Sequence, residues 1–233
     1  MKALIIDTET TGLKEPEVIE LAYAEITVED LLVVSTSIVC TTTRYRSTKK
    51  IEYGAMAVHH ILPESLEQCA ASSTCKLPGE FEYLIGHNVD FDWVLLGKPK
   101  GKRIDTLALC RYLWPECDSH SQSAMLYFLN GATEITKEIL KGAHSAGTDV
   151  YICYRVLSYI VAKVNMTAPV TEEAFEALWV LSEKARIPSI MYFGKYKGIP
   201  IKDVPKDYCM WYSRQVDTDA YLLKAFQLAG KIK

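Results

Sequence analysis

Asp7 and Glu9 stand two residues apart at the end of a short apolar run, Ala3-Leu4-Ile5-Ile6, and Thr10-Thr11-Gly12 closes the stretch. The run is too short for a helix and rich in branched residues, so it reads as a buried strand. Strand side chains alternate with period two, which puts Asp7 and Glu9 on the same face. Neighbouring carboxylates at the end of a buried strand repel each other and are costly to desolvate. Hard dications such as Mg²⁺, which prefer oxygen ligands, relieve that repulsion. An acidic turn in water is the plain alternative, and this stretch alone does not separate the two.

Two further stretches carry titratable groups suited to the same chemistry. His87-Asn88 follows an apolar strand at 81–85, and Asp90 and Asp92 both fall in the first turn of the helix that follows. In sheets flanked by helices, ligands gather beyond the carboxyl ends of the strands, so either acid can join Asp7 and Glu9. Helix N-termini favour acids on electrostatic grounds alone, and geometry does not choose between the two. In His144-Ser145-Ala146-Gly147-Thr148-Asp149, residues five apart on one helix would point about 140° from each other. Gly147 and Thr148 therefore suggest a loop-borne His144 beside an Asp149 at a helix start. A histidine there gains and loses a proton near neutrality, as a general base must.

The elements that position these groups follow from periodicity. A strand at 18–28, a turn at Glu29-Asp30 and a β-branched run at 31–40 suggest an antiparallel meander after the first strand. Residues 44–50 read as a polar loop, with helical pieces at 51–61 and 64–71. Asn88 is placed to cap a helix over 89–96, and 103–105 forms a strand edge. Helices follow at 106–113, 124–129 (capped by Ser121), 135–140 and 147–164. Pro169 lies in a linker at 166–170, and Thr171 caps a helix with Phe175, Leu178 and Trp179 on one side. Residues 191–201 form an aromatic hairpin whose tip is Lys195-Tyr196-Lys197, and Tyr208, Trp211 and Tyr212 follow at helical spacing. The division is a first domain over 1–165 and a small α+β module over 166–233.

Composition sets outer bounds. The chain has 233 residues, a formal charge of −3 and an apolar fraction ample for a core. No run approaches a membrane span, the start does not resemble a signal peptide, and the seven cysteines include no close pair. A reduced cytoplasmic protein with packed thiols is the expectation. The overall charge does not advertise a nucleic-acid binder, although basic residues cluster at 44–50 and 98–103.

Taken together and in order, Asp7-Thr8-Glu9-Thr10-Thr11-Gly12, His87-Asn88 with Phe91-Asp92, and His144 with Asp149 resemble the three motifs of the DnaQ-like DEDDh 3′→5′ exonuclease family. Ala57-Val58-His59-His60-Ile61 and Ile104-Asp105-Thr106-Leu107 are similar to further family segments. The resemblance spans roughly residues 3–162, and because the family's third acid follows a phenylalanine it selects Asp92 over Asp90. Phe193-Gly194-Lys195-Tyr196-Lys197-Gly198 with Asp203-Val204 and Tyr208 to Trp211 resembles the C-terminal module of the exodeoxyribonuclease X branch. Arg111-Tyr112-Leu113-Trp114-Pro115 is similar to a segment of that branch as well.

This resemblance implies an RNase H-like fold, a five-stranded mixed sheet flanked by helices. It implies release of nucleoside 5′-monophosphates from DNA 3′ ends, single- or double-stranded, with two Mg²⁺ ions that Mn²⁺ can replace. Asp7 would bridge both ions, Glu9 and Asp149 would hold the ion that activates water, and Asp92 would orient the second. His144 would be the general base. Thr10 and Leu13 are the candidate lining of the terminal-nucleotide pocket, and His60 and Asn88 are further candidate substrate contacts. In the tail, Tyr196 between Lys195 and Lys197 is placed to stack on a base or grip a duplex end, with a module that only packs on the core as the alternative. The alternatives are an RNA exonuclease, a polymerase proofreading subunit and a non-catalytic, metal-dependent DNA-end binder.

Overall fold

A computed structural model of the chain describes residues 2–27, 29–30, 38–164, 173–216 and 218–233. The chain folds into two compact units, Met1–Ser182 and Glu183–Lys233. The boundary expected at 165/166, the linker at 166–170 and the Thr171 cap fall on residues 165–172, outside those described.

The first unit runs β1 (Ala3–Thr10), β2 (Val18–Ile26), β3 (Thr41–Arg46), α1 (Tyr53–His59), β4 (Ala70–Ala71), β5 (Tyr83–Gly86) and α2 (Val89–Leu95). It continues with β6 (Lys102–Asp105), α3 (Thr106–Leu113), α4 (Gln122–Asn130), α5 (Glu134–Leu140), α6 (Ala146–Lys163) and most of α7 (Glu173–Ala185). The sheet order is β4-β3-β2-β1-β5-β6, so β1 lies inside the sheet. It pairs antiparallel with β2 and parallel with β5, and β5 pairs parallel with β6. A strand with helices over both faces must be apolar at consecutive positions, and Ala3 to Ile6 are all at most 1% exposed. Leu4 and Ile6 pack with Leu84 and Val89 at the start of α2.

The described sheet is mixed, as expected, but has six strands where five were expected. The extra strand is β4, which lies in the stretch 64–71 read as helical. There the chain makes one 3₁₀ turn, Pro63–Leu66, and then extends so that Ala70 and Ala71 pair parallel with Tyr45 and Arg46. Two residues are too few to show strand periodicity in a sequence. Strand β3 also departs from expectation: Thr41–Arg46 overlaps the predicted polar loop, while 31–37 of the predicted third strand lie outside the described residues. Only Tyr45 of β3 is buried, so its composition carries no strand-like apolar alternation.

Helix α7 belongs largely with the first unit. Phe175 stacks on Tyr83 with ring centroids 5.4 Å apart, Lys102 sits 4.4 Å from the Trp179 ring, and the Ser182 hydroxyl accepts the Asp105 N–H at 2.8 Å. The second unit contains α8 (Lys206–Tyr212) and α9 (Ala220–Leu228) around Met191, Ile201, Val204, Cys209, Leu222 and Phe226. The aromatic segment expected as a hairpin closes through a single bridge, Ile190 to Pro200. Between these ends Gly194 and Gly198 take φ of 69° and 83°, which tightens the segment into turns in place of paired strands. No helix among the described residues is long and apolar enough to cross a membrane.

Candidate active site

The site begins with register. Asp7 lies opposite Ala22, so no bulky neighbour crowds it, while Glu9 lies opposite Glu20 on β2. Like charges directly opposed on a sheet destabilise it. The next strand supplies the remedy: Glu20 is opposite Arg44, whose Nε reaches its Oε1 at 2.8 Å. Glu20 is 2% exposed, and its other oxygen accepts the Ala146 N–H at 2.9 Å. One buried carboxylate therefore ties β3 and the start of α6 to the acidic end of β1. Asp149 sits in the first turn of α6, where the helix dipole favours an acid.

Asp7, Glu9 and Asp149 each present a carboxylate oxygen within 4.8 Å of the other two. Asp92 arrives from α2 and is 5% exposed. Its Oδ1 accepts the Thr8 hydroxyl at 2.5 Å, and Thr8 points to the face of β1 opposite Asp7. Asp92 lies outside the tight trio, yet its charge is one of the influences raising Asp7 and Glu9. The alternative acid, Asp90, is paired with Arg103 at 2.5 Å.

Burial is the largest influence on every carboxyl of the group. It raises Asp7 well above the usual carboxylate range, with Asp92, Asp149, Glu9 and Glu20 adding repulsion. It pushes Glu9 up to about 8, with Asp149, Glu20 and Asp92 contributing. Burial takes Asp92 up to about 7 against the opposing hydrogen bond from Thr8. Asp149 rises to about 6, moderated by the His144 charge and by the His144 N–H. These groups hold protons tightly because the His144 charge beside Asp149 does not neutralise them all. A dication would, and the carboxylate oxygens are the hard donors it needs.

His144 is exposed in the turn before α6 with φ of 66°, and its N–H donates to Asp149 Oδ2 at 3.1 Å. His87, by contrast, faces inward. Nε2 meets the His120 carbonyl at 2.8 Å and Nδ1 meets the Thr106 hydroxyl at 3.0 Å. A carbonyl only accepts, so the proton sits on Nε2, and burial holds the His87 pKa down. His87 therefore locks the corner between β5 and α3.

The other candidates are spread along both units. Thr10 is buried and donates to the Gly12 carbonyl at 2.8 Å, closing the end of β1. Gly12 takes φ of 154°, and a Cβ there would run into the Glu52 side chain. Leu13, directly after it, is 83% exposed. His60 and Asn88 are exposed in left-handed conformations, and the Asn88 N–H donates to Asp105. Lys195 and Lys197 are exposed, but Tyr196 packs edge-on against Tyr208 at 4.8 Å. Glu20 is the residue the sequence reading passed over. Its signal was present, as an acid between the apolar residues Ile19 and Leu21 of the strand Val-Ile-Glu-Leu-Ala-Tyr-Ala-Glu-Ile, but its partners are distant in the chain.

Three solved structures are similar in fold. Exonuclease X in complex with 5′-overhanging duplex DNA is 28% identical with a TM-score of 0.57, covering 76% of this chain and 99% of that one. The zinc-bound form of the E. coli ExoI–ssDNA complex is 16% identical with a TM-score of 0.53, covering 80% and 43%. A full-length 3′-exonuclease is 13% identical with a TM-score of 0.50, covering 70% and 82%. The last two share the fold alone. The fold is that of the DnaQ-like 3′→5′ exonucleases, and likeness to Exonuclease X supports a nuclease. Among them, Exonuclease X is matched over nearly its whole length. No curated protein matches the chain by sequence. Residues 184–232 match a family described as "Putative quorum-sensing-regulated virulence factor", almost coextensive with the second compact unit.

Proposed function

We propose that the chain is a metal-dependent 3′→5′ exodeoxyribonuclease that hydrolyses the last phosphodiester of DNA and releases nucleoside 5′-monophosphates. The observation that carries this is the meeting of Asp7, Glu9 and Asp149 within 4.8 Å, with the Asp92 charge acting on Asp7 and Glu9. Asp7, Glu9 and Asp149 would hold Mg²⁺, or Mn²⁺ in its place, and Asp92 would act on a second ion from the Thr8 side. Bound dications would supply Lewis acidity and neutralise charge building on the phosphate oxygens. In the reaction, water attacks the terminal phosphorus, the bond to the 3′ oxygen breaks, and His144 takes the proton of the attacking water. The exposed turn leaves that imidazole free to approach the cleft edge, while its backbone stays tethered to Asp149.

Terminal-nucleotide contacts fall to Thr10, Leu13, His60 and Asn88 in this reading. An exposed leucine after a glycine-bound turn suits wedging against a base, and Lys195 and Lys197 suit phosphate contact. The setting would be cytoplasmic DNA repair or degradation. The test is a panel of end-labelled DNA and RNA, single- and double-stranded, with Mg²⁺ or EDTA, comparing the parent with Asp7→Ala. Stepwise loss from DNA 3′ ends only with Mg²⁺ and only in the parent is expected. Equal loss by Asp7→Ala overturns the reading, and preference for RNA moves the substrate to ribonucleic acid.

A further inference from the structure

The two compact units differ in charge. Residues 183–233 hold ten Lys and Arg against five Asp and Glu, a formal +5 in a chain whose total is −3. Part of this charge surrounds one hollow. Between α8 and the end of α9, an opening of about 590 Å³ is lined by Met210, Leu223 and Ile232, with Lys206, Arg214, Lys231 and Lys233 around it. A second recess of about 260 Å³ shares Met210 and Arg214 with it and adds Trp211, which is 54% exposed. Asp207 is the acidic residue among those lining the second recess.

We propose that this hollow binds a single strand of nucleic acid. Phosphates would lie among the four cationic side chains, and bases and sugars would lie on the apolar floor and the Trp211 ring. The combination decides the class. Cations alone suit any polyanion, and an apolar floor alone suits any apolar ligand. A strand has both, regularly spaced, and binding by charge plus aromatic stacking tolerates any sequence. The hollow is within the volume range of sites that take nucleotide-sized ligands. These residues are separate from Lys195-Tyr196-Lys197 and from the acids of the first unit. The site does not depend on hydrolysis, so it can fail while the nuclease reading stands, and the reverse.

The test measures anisotropy of fluorescein-labelled oligothymidylate on the full chain in EDTA, carrying Asp7→Asn to suppress turnover. Arg214→Glu with Lys231→Glu should weaken binding by about tenfold or more at low salt and flatten the salt dependence, because fewer counterions are released. Trp211→Ala should weaken binding with the salt slope unchanged. The charge-keeping pair Arg214→Lys and Lys231→Arg should bind like the parent, which separates lost charge from lost folding. Unchanged affinity and slope in the charge-reversed chain overturns the proposal. So does a charge-reversal loss seen equally with phosphatidylserine vesicles and unaffected by Trp211→Ala, which would make the hollow a membrane-surface contact.

Discussion

The two units use charge in opposite ways. In Met1–Ser182 the decisive charges are like charges held together and buried or half-buried: Asp7, Glu9, Asp92 and Asp149, with Glu20 behind them. In Glu183–Lys233 they are cations spread over an exposed surface beside an aromatic ring. The first arrangement costs stability and persists only because the sheet register, the Arg44 pair and the α6 N-terminus enforce it. The second costs little, because exposed lysines keep their water. A chemical site is legible from strain that must be compensated, a binding surface from charge left uncompensated. Unit-specific mutations can therefore separate turnover from affinity.

The largest separation should come from Asp7→Asn. Removing an acid that sits among Glu9, Asp92 and Asp149 should lower nucleotide release from end-labelled DNA by about a thousandfold or more, as loss of a transition-state charge contact does. Oligothymidylate anisotropy should change less than about threefold, since Asp7 is not among the residues that line the hollow. A parallel collapse of affinity would mean that the first unit, not the second, carries the strand.

His144→Ala comes next, with an expected fall in kcat of about 10² to 10⁴ and little change in KM, as for loss of a general base. Retention of the parent rate would remove His144 from the mechanism and leave the acids in place.

Glu20→Ala probes the support and not the chemistry. It leaves the buried Ala146 N–H without an acceptor and Arg44 without its partner, at a cost of about 1–3 kcal/mol in chemical denaturation. Because α6 carries Asp149, kcat should fall more than KM rises. Affinity for oligothymidylate should stay put. A loss of stability with kcat intact would make Glu20 a fold residue only.

How much of this was legible follows the same divide. Asp7 and Glu9 were legible because period two is local, and the His144 turn because a five-residue offset cannot lie on one helix face. Asp90 and Asp92 were indistinguishable locally, since only the fold brings Arg103 to one and Thr8 to the other. Glu20 was hidden because its role depends on strands β1 and β3 meeting it from either side. Strand β3 was missed because an exposed strand needs no apolar alternation, and β4 because two residues have no period. Spacing in the tail did not show which rings pack on one another: Tyr196 meets Tyr208 edge-on, while Trp211 is exposed.

The smallest effect is thermodynamic and can be worked through in sign. Unfolded carboxylates titrate near pH 4. In the folded chain Glu9 is raised to about 8, Asp92 to about 7 and Asp149 to about 6, with burial the largest cause in each case. Between about pH 4 and 8 the folded state therefore binds more protons than the unfolded one, and stability must fall as pH rises across that window. In EDTA the Tm should drop by several degrees from pH 5 to pH 8, and Glu9→Gln should flatten the upper part of that slope. Mg²⁺ should shrink the drop, because a cation at the carboxylates replaces the protons that steady them, and its uptake at pH 6.5 should release protons to the buffer in calorimetry. A Tm in EDTA that is level or rises over the same range would mean that the carboxylates are relaxed and solvated, and the contrast between a strained acidic unit and an unstrained basic one would be lost.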